Sequence, residues 1–211
     1  MLETTALACE RGGLRLFSDL DFALERGGLL RVNGGNGSGK TTLLRTLAGL
    51  TRPAAGAVRW KGSDIDERYW SELLFLGHAP ALKDEFTVLE NLAFSAQLSD
   101  QEFTEESLRK ALAQLGIARL AQLPAGHLSQ GQRRRTALAR LALPETALLW
   151  LLDEPFAALD GEAIGCVSAL CAAHLAAGGL LVLTSHQEVP IAATAVQILE
   201  LPAAAFIELA G

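Results

Sequence analysis

The sequence predicts an α/β fold with a central parallel sheet, an antiparallel strand-rich region at the sheet's edge, and an inserted all-helical segment. Three observations predict it. Short apolar runs at Gly28–Asn33, residues 147–152 and Leu180–Thr184 have the composition of strands buried on both faces of a parallel sheet. Segments with helical spacing, residues 40–50 and 161–177, alternate with those runs, as βα units require. Residues 83–144 read differently: 88–98, 105–115 and 129–143 carry helix formers at 3.6-type spacing and few β-branched residues.

The elements follow in order. Residues 14–24 (LRLFSDLDFAL) alternate and are expected to supply two edge strands. Gly28–Asn33 (GLLRVN) is a buried strand ending in glycines, and residues 40–50 (KTTLLRTLAGL) form a helix. Pro53 and Gly56 mark a turn before a strand at 57–60. After the helical insertion, 147–152 (ALLWLL) is a buried strand, 161–177 a helix, and 180–184 another buried strand. Residues 196–199 and 205–209 are expected to close the sheets. A chain of 211 residues accommodates this as one domain, with residues 1–82 and 145–211 as the core and 83–144 as the insertion.

Composition excludes several classes of function. Eighteen basic against 24 acidic side chains give a net charge of −6, so no broad positive field exists to coat a nucleic acid. Half the residues are hydrophobic but only 6% aromatic, so the core must be aliphatic. The longest weakly polar stretch, 169–183, contains His174 and is broken by Gly178-Gly179, short of the roughly 18 apolar residues a spanning helix needs. Met1-Leu-Glu-Thr-Thr-Ala has neither a basic nor an apolar signal region, so no secretory signal is expected. Cys9, Cys166 and Cys171 are odd in number and scattered, which reads as reduced thiols in a cytoplasmic protein.

The chemistry sits in motifs. Gly34-Gly35-Asn36-Gly37-Ser38-Gly39-Lys40-Thr41 fits G-x-x-x-x-G-K-[ST] between a strand and a helix, with Thr42 following in the helix. Glycines let backbone N–H groups wrap phosphates, and the helix N-terminus favours an anion. Lys40 suits β/γ-phosphate contact and Thr41 suits Mg²⁺. The apolar run LLWLL ends in Asp153-Glu154, at the sheet edge where ligands bind in open α/β folds. Asp153 suits support of Mg²⁺, and Glu154 suits a base or orienter for attacking water.

Leu128-Ser129-Gln130-Gly131-Gln132, between those two motifs, resembles the LSGGQ signature of ABC ATPases. Ala158-Leu159-Asp160 is similar to their D-loop, and His186 in Thr184-Ser185-His186 to their switch histidine, all in the family's order. The resemblance implies a P-loop NTPase core with an antiparallel β edge subdomain and an inserted helical signature subdomain. It implies ATP and Mg²⁺ as cofactors, hydrolysis with Glu154 and His186 as catalytic residues, and a homodimer sandwiching two ATP molecules. In that dimer Ser129 and Gly131 bind nucleotide in trans, opposite residues 34–42 of the other copy.

Two positions depart from the family pattern. Ala79, in Leu76-Gly77-His78-Ala79-Pro80, stands where a glutamine is expected, with His78 as a candidate substitute. Residues 10–13 hold no aromatic to stack on adenine; Arg11 offers a planar guanidinium instead, and Phe17 reads as core. Arg133–Arg135 splay by about 100° per residue and form no nucleic-acid stripe, reading as local charge balance around their helix. Cys171 and His174 share a helix face and read as packing.

Cys9-Glu10-Arg11, Leu76-Gly77-His78 with Pro80 and Lys83, Thr87 with Glu90-Asn91, the 133–140 segment and Thr184-Ser185-His186-Gln187 together resemble the CcmA-type ATP-binding subunits of cytochrome c biogenesis systems. That resemblance implies an ATPase peripheral to the cytoplasmic face of the inner membrane. Its implied partners are an integral membrane, CcmB-like permease subunit and other haem-delivery components, with no nucleic acid. It leaves the cargo open. The alternatives are the ATPase of another ABC exporter, or a soluble ABC ATPase outside transport.

Overall fold

The computed structural model describes residues 1–97, 103–144, 147–203 and 205–206. Two five-stranded sheets face each other. The first is antiparallel: β1 (Leu2–Arg11) lies between β2 (Leu14–Leu24) and β4 (Ala55–Trp60), with β10 (Ala205–Phe206) and β5 (Ser63–Asp64) outermost. The second is wholly parallel, in the order β6 (Leu73–Leu76), β7 (Leu149–Asp153), β8 (Leu180–Thr184), β3 (Gly28–Asn33), β9 (Ala195–Glu200).

The apolar runs that predicted strands β3, β7 and β8 have a simple cause. Each strand is covered on both faces, so successive side chains enter different cores. On β7, Leu149 and Leu151 face the antiparallel sheet and α1 (Lys40–Leu47), together with Leu30, Val32 and Val182. Trp150 and Leu152 face the other way, joining Leu181, Leu183, α6 (Gly161–Ala176) and the helices of the insertion. All five residues of β7 are buried.

Residues 14–24 form one strand where two were expected. Ala6 at φ +45° and Asp19 at φ +51° lie on either side of the Leu7–Leu20 pair, where the register shifts, and they kink the two strands without breaking them. Side chains bridge the irregular register: Asp21 Oδ1 accepts the Ala6 N–H, and Thr4 Oγ1 donates to Leu20 O while accepting from Phe22 N. Such bulges bend a strand and leave it continuous.

The segment between residues 83 and 144 is helical as expected: α3 (Val88–Gln97), α4 (Glu105–Gln114) and α5 (Gln130–Leu138), with single 3₁₀ turns at 118–120, 125–127 and 139–142. Leu98 and residue 145, which bounds the insertion, lie outside the described residues, as do residues 207–209 of the expected closing strand. Asn91 organises the entry to the insertion. Its buried amide donates to Lys83, Phe86 and Thr87 carbonyls, and its Oδ1 accepts the Lys83 N–H. Not anticipated were β1, the two-residue β5, the short helix α2 (Glu67–Ser71) capped by Asp66, and β6.

The thiols and His174 behave as packing groups. Cys171 is fully buried, and burial pushes its pKa up to about 12. The His174 ring stacks on Trp150 at 3.9 Å, and burial lowers its pKa. Among the described residues no helix is long and apolar enough to cross a membrane.

Candidate functional site

Four parallel strands, β3, β6, β7 and β8, deliver their carboxyl ends to one edge of the sheet, and the loops that follow them build a cleft of about 600 Å³. Such edges are where open α/β sheets bind ligands. After β3 the chain turns through residues 34–39 into α1. Gly39, the α1 N-cap, sits at φ +98°, and an added Cβ would lie 3.0 Å from Leu16 Cβ. Gly34 sits at φ +144°, where a Cβ would lie 2.5 Å from Ser38 Oγ and 3.0 Å from the Leu201 carbonyl. Only glycine serves at either place.

Gly35, Asn36, Gly37, Gly39, Lys40, Thr41 and Thr42 border the cleft. Ser38 is buried, and its Oγ has no hydrogen-bond partner among the described residues. Lys40 Nζ donates to the carbonyls of Gly34 (2.7 Å) and Gly35 (3.1 Å), which folds the ammonium over the loop.

Opposite the loop stands the end of β7. Asp153 is 1% exposed, and both its oxygens are engaged: Oδ2 accepts from Thr41 Oγ1 (2.8 Å) and Oδ1 from Thr184 Oγ1 (2.7 Å). Glu154 takes the left-handed conformation, φ +51°, which costs an L-residue roughly 1–2 kcal/mol. Two side chains hold it there, and the Ala157 N–H donates to its carbonyl at 3.2 Å. Thr184 Oγ1 accepts its N–H at 2.9 Å, and Arg134 Nη2 donates to its carbonyl at 2.7 Å. The twist turns its carboxylate toward the residues after β8. His186 N donates to Oε2, and His186 Nε2 stands 3.4 Å from Oε1. That separation is within ion-pair range, yet Oε1 is buried and makes no hydrogen bond among the described residues.

Thr184 therefore serves two neighbours at once. Thr184→Val keeps its shape but leaves the part-buried Glu154 N–H without this acceptor and the buried Asp153 Oδ1 without this donor. The expected result is a loss of about 1–3 kcal/mol of stability, read from the denaturant midpoint at unchanged slope. An unshifted midpoint would show that the hydroxyl is dispensable.

The structure separates some of the sequence-predicted residues. Ser129 and Gly131 do not border this cleft. They line another, with Arg135, Ala158 and Asp160. Ser129 caps α5 in a capping box: its hydroxyl accepts the Gln132 N–H, and the Gln132 side chain accepts the Ser129 N–H. Gly131 packs so closely that a Cβ would lie 2.9 Å from the Ala158 carbonyl, Ala158 itself being at φ +60°. Asp160 caps α6 and pairs with Arg135.

At the position where a glutamine was expected, Ala79 does not border the main cleft; its neighbour His78 does, and both line an adjoining depression with Pro80, Gln130 and Arg134. Arg11, Gly12, Leu14 and Leu16 border the main cleft, with the Arg11 guanidinium exposed, and Phe17 is core. The arginines of α5 splay as expected, but Arg134 does more than balance charge. It is 4% exposed and bonded to four backbone carbonyls. Nothing in the helical spacing marks it out from Arg133, which pairs with Asp84, or from Arg135.

The donors suit a hard divalent cation. Thr41 and Asp153 offer a hydroxyl and a carboxylate beside a phosphate-shaped loop, and Mg²⁺ is usually held by one or two protein oxygens together with substrate phosphates and water. Among the described residues no cluster of three or more His, Cys, Asp or Glu forms an all-protein metal cage.

The sequence profile of the ABC transporter family matches residues 17–157. The chain is 48% identical over 204 residues to the "Cytochrome c biogenesis ATP-binding export protein CcmA" of Dechloromonas aromatica, covering 95% of this chain and 100% of that protein. It is 47% identical to the protein of the same name from Nitrosospira multiformis, covering 95% and 98%. Among solved structures, a putative ABC transporter ATP-binding protein from Pyrococcus furiosus superposes with a TM-score of 0.80 at 25% identity, covering 94% of this chain and 96% of that one.

Proposed function

The chain belongs to the ABC transporter family, and from that premise we propose how its residues bind and hydrolyse ATP. Its relatives make it the ATP-hydrolysing subunit of an ABC system for cytochrome c biogenesis. The observation that carries the residue assignment is the convergence of Lys40, Thr41, Asp153, Glu154 and His186 on one cleft.

ATP binds with its phosphates against the N–H groups of residues 34–42, at the positive end of α1. Lys40 exchanges the Gly34 and Gly35 carbonyls for β/γ-phosphate oxygens. Thr41 and Asp153 would hold Mg²⁺, which when bound neutralises charge on the β- and γ-phosphates. Glu154, which borders the cleft beside Thr41 and Asp153, accepts a proton from the attacking water on its carboxylate. The water oxygen bonds to the γ-phosphorus, the bond to the β–γ bridging oxygen breaks, and ADP leaves. His186, 3.4 Å from Oε1, orients the water and the γ-phosphate. Arg11, Leu14 and Leu16 border the outer end, where the base would rest.

Ser129 and Gly131 meet the nucleotide of a second copy, a reading supported by their lying off the main cleft. Two chains arranged head to tail enclose two ATP molecules. The chain acts at the cytoplasmic face of the inner membrane, on an integral membrane, CcmB-like permease, and powers a step in haem delivery. Co-expression with that permease tests the assembly. The chain should pellet with membranes and copurify with the permease in detergent only when the two are made together. Recovery in the supernatant regardless of the permease would overturn the partnership.

A further inference from the structure

Arg134 projects from α5, five residues beyond the cap at Ser129, into the interior. Nη1 donates to the carbonyls of Gly77 (2.9 Å) and His78 (3.0 Å), at the end of β6. Nη2 donates to those of Asp153 (2.6 Å) and Glu154 (2.7 Å), at the end of β7. A rigid planar fork can hold two pairs of acceptors at once; an ammonium on a flexible stem cannot. Both clamped segments present a group to the cleft, His78 from one and Glu154 from the other. Glu154 holds its left-handed backbone only through its neighbours. Of the two side chains that bond its backbone, Thr184 belongs to the sheet and Arg134 to the helical insertion; the Ala157 N–H also donates to its carbonyl.

We propose that Arg134 is a positioning residue that gears the Ser129–Gly131 end of α5 to the catalytic carboxylate of its own chain. The inference rests on the assignment of Glu154 as base and of Ser129–Gly131 as the contact for the second copy's nucleotide. When that end of α5 is drawn onto nucleotide, the guanidinium carries the displacement to the Glu154 and His78 carbonyls. Engagement at one site thereby sets the geometry of the other.

The test uses the full-length chain and compares Arg134→Lys and Arg134→Ala with the parent. Arg134→Lys keeps the buried positive charge with a single donor centre, so it serves even if the alanine variant fails to fold. Nucleotide affinity, measured with a fluorescent ATP analogue, should stay within about twofold, and kcat should fall by about 10–100-fold with KM little changed. Combined with Glu154→Gln, Arg134→Lys should cause no further fall in single-turnover rate, because both act on one carboxylate. A lowered melting temperature with wild-type kcat would reduce Arg134 to a structural brace. Multiplying effects in the double variant would place its action elsewhere. Either outcome overturns the inference while the Glu154→Gln defect stands. Wild-type turnover in Glu154→Gln alone overturns the functional reading, and the inference falls with it.

Discussion

Glu154→Gln is expected to lower ATP turnover by about 10²–10⁴-fold, the range a positioned general base supplies, with nucleotide affinity nearly unchanged. The amide carbonyl can still accept the His186 N–H that Oε2 accepts now, so the loop after β8 keeps its anchor. What is lost is the basic oxygen. An amide in place of the carboxylate takes no proton from water. Binding depends on residues 34–42, which the substitution does not touch, so ATP should remain bound and the ATP-bound dimer should accumulate. Single-turnover kinetics and light scattering after size exclusion read both effects. Turnover at the parental rate would remove Glu154 from the chemistry.

Lys40→Ala should have the opposite profile, losing affinity first. A hydrogen bond to a charged partner contributes about 1.5–3 kcal/mol, which corresponds to a roughly 10–150-fold weaker Kd for ATP. The side chain is nearly buried and already aligned over the loop, so little ordering is needed to transfer it from carbonyl to phosphate. Removing it also leaves the Gly34 and Gly35 carbonyls without their ammonium, so the empty loop should loosen as well. Isothermal titration with ATP checks this, and an unchanged Kd would mean that Lys40 never leaves those carbonyls.

The site's outline was legible where one residue type answers one physical demand. Strands β3, β7 and β8 had to be apolar throughout because both faces are covered. Glycines at 34 and 39 had to occupy left-handed or crowded positions. Residues whose role depends on distant partners were not legible. The alternation of residues 14–24 suggested two strands, yet they form one, in which Asp21 Oδ1 accepts the Ala6 N–H across the irregular register. Strand β6 is four residues of LLFL, too short to carry a period. His78 and Ala79 are adjacent, and only the path of the loop decides which one borders the cleft. Arg134 is one of three consecutive arginines, and its four carbonyl acceptors come from segments about 20 and 57 residues away in sequence.

β7 contributes side chains to both cores and ends in the two carboxylates of the cleft. Loss of either layer, the antiparallel sheet or the helices, would strip one face of that strand and release Asp153 from its hydroxyl partners. Local opening elsewhere in a protein often leaves a working remnant. Here the strand that carries Asp153 is buried along its whole length between the two layers. Heat inactivation should therefore run in step with global unfolding, and slowly exchanging amides in β7 should report the lifetime of the active form.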